Sequence, residues 1–132
     1  MEYKKFESDF LEVTLHAIIL DGSRAKDLFK ALKKIEKVLG RGVIGKDELS
    51  DSRGYCMSNR HDQEVIVINT DKKLHKLGPW SIVNTLQHEC SHFMWHELQC
   101  ISSTPTYHNE FEMRLSDWAF MKITSMKYFQ GL

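Results

Sequence analysis

One long amphipathic segment limits what this chain can fold into. From Pro79 to about Leu98 the apolar residues Ile82, Leu86, Cys90 and Phe93 recur at helical spacing, and proline is favoured at the first position of a helix. The spacing predicts a long helix with that stripe buried. On a wheel of about 100° per residue, His88 and His92 project well away from the stripe, and Glu89 lies between the two directions. Such a helix lies against a core along one side and presents His88 and His92 to a cleft along the other, with Glu89 at the border.

Two imidazoles four residues apart share one helical face and can grip one zinc ion. A glutamate beside the first can act as general base on a water that the ion holds. The pattern therefore predicts a zinc-dependent hydrolase, with a peptidase as the leading reading. Glu89 is the expected base, and His88 and His92 are two expected ligands. A catalytic zinc needs a third protein ligand and an open position. His96 continues the spacing, but it stands about 12 Å from His88 along a helix that rises 1.5 Å per residue. It is read as the end of a polar helix face. His108 and Glu112 are four apart, share a face of the last expected helix and point close to its apolar side. Either completes a site, with the other as a supporting partner. Spacing leaves that choice open.

The remaining elements follow from periodicity. Residues 4 to 20 carry two overlapping patterns. Phe6, Phe10, Val13, Ala17 and Leu20 keep helical spacing, whereas Leu11, Val13, Leu15, Ala17 and Ile19 alternate like a strand. Helix is favoured for the first part and the second is open. Residues 24 to 39 read as an amphipathic helix with Leu28, Leu32, Ile35 and Leu39 as its stripe. Ser23 is its expected cap and Gly40 its stop. Its Lys30, Lys33, Lys34 and Lys37 read as a solvated face. Residues 41 to 52 read as a loop or irregular strand. Gly54 to Met57 and Glu64 to Asn69 read as strands joined by a polar turn, an antiparallel hairpin. Thr70 to Gly78 is a basic connection. A loop over Cys100 to Thr106 precedes a last helix from about Tyr107 or Asn109 to Phe129, with Phe111, Leu115, Trp118, Met126 and Phe129 on one face.

At 132 residues this is one domain, 1–132, long enough for a real core. The elements together predict an α+β fold, a small and mostly antiparallel sheet against helices. Zero formal net charge supplies no global field toward nucleic acid or membrane. The basic run Lys72 to Lys76 keeps nucleic-acid contact only as an accessory role. Three cysteines, Cys56, Cys90 and Cys100, include no Cys-x-x-Cys pair. An odd count fits a reducing compartment, and Cys90 reads as a small core residue. The N-terminus shows no secretory pattern and no apolar run spans a bilayer, so the expected location is cytoplasmic.

The residues also resemble a known family, the SprT-like zinc metalloproteases that include the Spartan protease domain. Gly54-Tyr55-Cys56 looks like its Gly-x-Cys strand, and Val65-Ile66-Val67-Ile68-Asn69 like its next strand. Thr85-Leu86-Gln87-His88-Glu89-Cys90-Ser91-His92 looks like its T-L-x-H-E-x-x-H helix. His108-Asn109-Glu110-Phe111 looks like its later H-G-x-E-[FW] segment, with Asn109 where the family usually has glycine. The match covers roughly residues 53 to 115. It implies a minimal zincin fold, zinc on His88, His92 and His108, Glu89 as base, and a protein or peptide substrate. Glu110-Phe111-Glu112 is similar to the E-x-E segment of ImmA/IrrE-type proteases, which implies Glu112 as the third ligand instead. Gluzincins usually place Asp four residues after that glutamate, and here Arg114 and Ser116 stand at the corresponding positions.

A rival of another class is a binding module without catalysis, its zinc structural. That would need a fourth protein ligand, and His61, His75 and His96 are the spare histidines. No G-x-S-x-G elbow, P-loop or G-x-G-x-x-G occurs, so those nucleophilic and phosphate-binding schemes lack support.

Overall fold

The computed structural model describes the backbone of residues 1–8, 12–59, 62–99 and 105–132, and the side chains of the same residues except 99 and 105–113. The order is β1 (Glu2–Glu7), β2 (Thr14–Leu20), α1 (Ala25–Leu39), α2 (Lys46–Asp51), β3 (Gly54–Ser58), β4 (Gln63–Asn69), a 3-10 turn (Lys72–Leu74), α3 (Pro79–Gln99), α4 (Pro105–Thr124) and α5 (Lys127–Gln130). The strands form one four-stranded sheet in the order β1-β2-β4-β3. The fold is α+β with a mixed sheet. The outer pairs β1/β2 and β3/β4 are antiparallel, and the central pair β2/β4 is parallel.

Two apolar layers sandwich the sheet. On one face Leu15, Ala17, Ile19, Ile66 and Ile68 meet Leu86, Cys90 and Phe93 of α3 and Leu115, Ala119 and Ile123 of α4. On the other, Ile18, Leu20, Val65 and Val67 meet Leu28, Ala31 and Ile35 of α1 and Leu49 of α2. Central strands covered on both faces read as near-continuous apolar runs. That is why β2 runs apolar at consecutive positions from Ala17 to Leu20, alongside the alternation of Leu15, Ala17 and Ile19.

The helix favoured for the start of the 4–20 region is instead strand β1. Its Lys4, Lys5 and Glu7 fit a charged sheet edge, and only Phe6 is buried. The stretch expected as loop, 41–52, contains α2. Asp47 and Glu48 lie in its first turn, where carboxylates favour a helix, and Leu49 is buried beneath it. Ser23 does not cap α1: its hydroxyl donates to Asp21 at 2.6 Å, and the α1 cap residue is Arg24. Gly40 does end α1, at φ 101°, with its N–H donating to the Glu36 carbonyl. The last helix stops at Thr124 rather than Phe129. The Glu2 carboxylate accepts from Lys127 N–H at 2.8 Å and Tyr128 N–H at 3.0 Å, which fixes a separate start for α5.

Three contacts hold α3 in place. At its start the His75 ring, 5% exposed, lies 2.6 Å from the Asn69 carbonyl through Nε2 and 2.8 Å from the Ser81 hydroxyl through Nδ1. The carbonyl can only accept, so Nε2 donates to it. In its middle Phe93 is fully buried and stacks on Trp118 of α4 at 5.9 Å between ring centroids. Near its end His96 reaches Glu64 of β4. Among the described residues no helix is long and apolar enough to cross a membrane.

Candidate metal centre

The free face of α3 and strand β3, an edge of the sheet, form the walls of a cleft of about 720 Å³. Asn84, Thr85, His88, Glu89, His92 and His96 line it from the helix, and Gly54, Tyr55 and Cys56 from the strand. The stripe of Ile82, Leu86, Cys90 and Phe93 is buried as its spacing predicts, while His88 and His92 are exposed. Backbone geometry alone therefore turns both imidazoles into the cleft.

His88 Nε2 and His92 Nε2 lie 3.1 Å apart, with their rings edge to face. Two nitrogens bound at ~2.0–2.1 Å to one tetrahedral ion are about 3.3 Å apart. The pair is thus set close to the span that one ion requires. Ligand atoms of His88, Glu89 and His92 all fall within 4.8 Å of one another. Burial, then repulsion from His88 and His96, holds His92 below the usual imidazole range, which favours the neutral, ligating form.

Glu89 differs from its neighbours in being only 4% exposed. Burial raises its carboxyl to about 7, an effect that His96 partly offsets. A carboxyl near that value both accepts and returns a proton at neutral pH. Its burial depends on a close approach of β3. A Cβ on Gly54 would stand 2.8 Å from Thr85 Cγ2, 3.0 Å from Glu89 Cγ and 3.1 Å from the Val67 carbonyl. Gly54→Ala is therefore expected to push strand and helix apart and destabilise the fold by about 1–3 kcal/mol, the usual range for overpacking. The urea midpoint should fall with an unchanged slope. An unchanged midpoint would mean that β3 is not pressed against Glu89.

A second cluster borders the first. Cys56 Sγ lies 3.8 Å from Glu64 Oε1 and 3.7 Å from His96 Nδ1, and His96 Nδ1 lies 3.0 Å from Glu64 Oε1. The Glu97 carboxyl hydrogen-bonds that of Glu64. Burial holds both carboxyls well above the usual range, and burial beside Glu64 and Glu89 pushes the Cys56 thiol up. His96 is thus not the end of a polar face but a half-buried partner of Glu64. Sequence reasoning missed this cluster. The one signal available was a glutamate opening the apolar run of β4.

The other candidates separate cleanly. The side chains of His108, Glu112, Tyr107 and Phe111 lie outside the described residues, although their backbone belongs to α4, which folds back on α3. His61 and Cys100 also lie outside them. His75 has both ring nitrogens engaged away from the cleft. Tyr55 lines the cleft. Lys72, Lys73 and Lys76 are exposed around the 3-10 turn. Comparison of the chain with protein-family models, curated proteins and solved structures finds no match.

Proposed function

We propose that this chain is a zinc-dependent metallopeptidase of the minimal zincin type, SprT-like in its motifs. The observation that carries the reading is the His88/His92 pair at 3.1 Å beside a buried Glu89, all facing one cleft. His88 and His92 would hold the zinc, and the segment His108-Asn109-Glu110-Phe111 would supply His108 as third ligand, with Glu112 as the alternative. Zinc in such a site polarises a carbonyl and lowers the pKa of water to about 7.

The rest of the chemistry belongs to the chain. Glu89 takes the proton of the attacking water and delivers it to the leaving amine. Its low exposure keeps bulk water from competing for that proton. Gly54 admits the strand that shields it. Among the described residues strand β3 pairs only with β4 and borders the cleft, so its other edge can pair with an extended substrate backbone. That favours unfolded protein or peptide as substrate.

The test is digestion of an unfolded protein by the purified chain. Cleavage should stop on removal of metal by a chelator and return with zinc. Cleavage that persists without metal, or intact substrate at saturating zinc, would overturn the proposal.

A further inference from the structure

Cys56, Glu64 and His96 come from three different elements, β3, β4 and α3, yet their ligand atoms lie within 4.8 Å of one another. Donors around a tetrahedral ion with sulfur at ~2.3 Å and nitrogen or oxygen at ~2.0–2.2 Å are about 3.3–3.6 Å apart. The three separations here, 3.8, 3.7 and 3.0 Å, bracket that range. Small side-chain rotations would equalise them.

The donor chemistry points the same way. Glu64 is 2% exposed, and among the described residues no lysine or arginine pairs with it. Its partners are a thiol, an imidazole and the carboxyl of Glu97. A thiol, an imidazole and a carboxyl gathered at one buried point are the donor types that hold zinc. We propose that Cys56, Glu64 and His96 form a second divalent-metal site, separate from the His88/His92 pair and sharing no ligand with it. The donor set of one thiolate, one imidazole and one carboxylate selects zinc or a similar borderline cation over magnesium or calcium. On binding, the Cys56 thiol releases its proton to solvent and sulfur becomes the ligand. Glu97 hydrogen-bonds the Glu64 carboxyl, as the outer partners of metal ligands do.

The site would pin β3 and β4 to α3 one helical turn beyond His92, whose ring lies 6.4 Å from that of His96. Its role is to fix the end of the cleft. The inference goes beyond the peptidase reading and does not depend on it.

Cobalt distinguishes the two sites, because among the described residues only the second offers sulfur. The full-length chain titrated with Co²⁺ should show a near-ultraviolet thiolate-to-cobalt absorption. That band should disappear in Cys56→Ser. It should persist in the His88→Ala/His92→Ala double variant and in Cys90→Ser and Cys100→Ser. Far-ultraviolet circular dichroism checks the fold of each. His96→Ala serves as an independent variant and should raise the cobalt concentration for half-saturation of the band at least about tenfold. No band in the wild type would show a hydrogen-bonded cluster only and overturn the proposal. A band that survives both Cys56→Ser and His96→Ala, or one lost with the His88/His92 pair, would do the same.

Discussion

Glu89→Gln should lower peptide-bond turnover by about 10²–10⁴-fold, the usual contribution of a positioned general acid–base. The amide matches the carboxylate in shape, so it still fits beneath β3 beside Gly54 and Thr85. It cannot accept the proton of the attacking water. Glu89 carries the burial and the carboxyl near 7 that fit this task, whereas His88 and His92 are exposed. Zinc should stay bound at wild-type stoichiometry, because imidazoles remain to hold it. Turnover and bound zinc measured on one preparation separate the two effects. Full activity in the variant would remove Glu89 from the mechanism. Loss of zinc together with activity would make it a ligand instead.

His92→Ala should abolish metal-dependent turnover through loss of the ion and leave the fold intact. Its ring is exposed and contacts chiefly the neighbouring histidines of α3. Substitution of such a surface residue changes stability by about 0.5 kcal/mol or less. Zinc affinity should fall by more than the 10–100-fold typical for an outer partner, because a direct ligand is removed. Titration against a chromophoric chelator, in a Cys56→Ser background that removes the second cluster, gives the affinity. A thermal scan of the metal-free proteins gives the stability. Unchanged affinity would place the ion elsewhere. Collapse of the fold would show that His92 packs where the geometry leaves it exposed.

The helix α3 and the hairpin β3–β4 were legible in the sequence because each carries a single periodic signal. Ile82, Leu86, Cys90 and Phe93 mark one face of a helix, and Val65 to Ile68 mark a strand. From that face the outward aim of His88 and His92 followed directly. β2 was only half legible: Leu15, Ala17 and Ile19 alternate like a strand, but Ile18 and Leu20 are buried on the other face and a chance helical spacing competed with that alternation. Its parallel pairing with β4 rests on contacts between residues about fifty positions apart, such as Leu15 and Glu64, that no local pattern encodes. α2 was hidden by its length and by one buried residue, Leu49. The Cys56–Glu64–His96 cluster escaped for a related reason. Its members are separated by eight and thirty-two positions, and only the sheet register and the docking of α3 bring them together. Gly54 read only as the first residue of a strand, whereas its value lies in letting Glu89 approach.

The most direct test of the metal centre is an anomalous-difference map from crystals of the chain grown with zinc and measured at the zinc absorption edge. The expected result is a peak ~2.0–2.1 Å from both His88 Nε2 and His92 Nε2. Its third protein contact would decide between His108 and Glu112. A fully ordered helix with zinc present in the crystal and no peak between those two nitrogens would contradict the account, whatever density appeared beside Cys56.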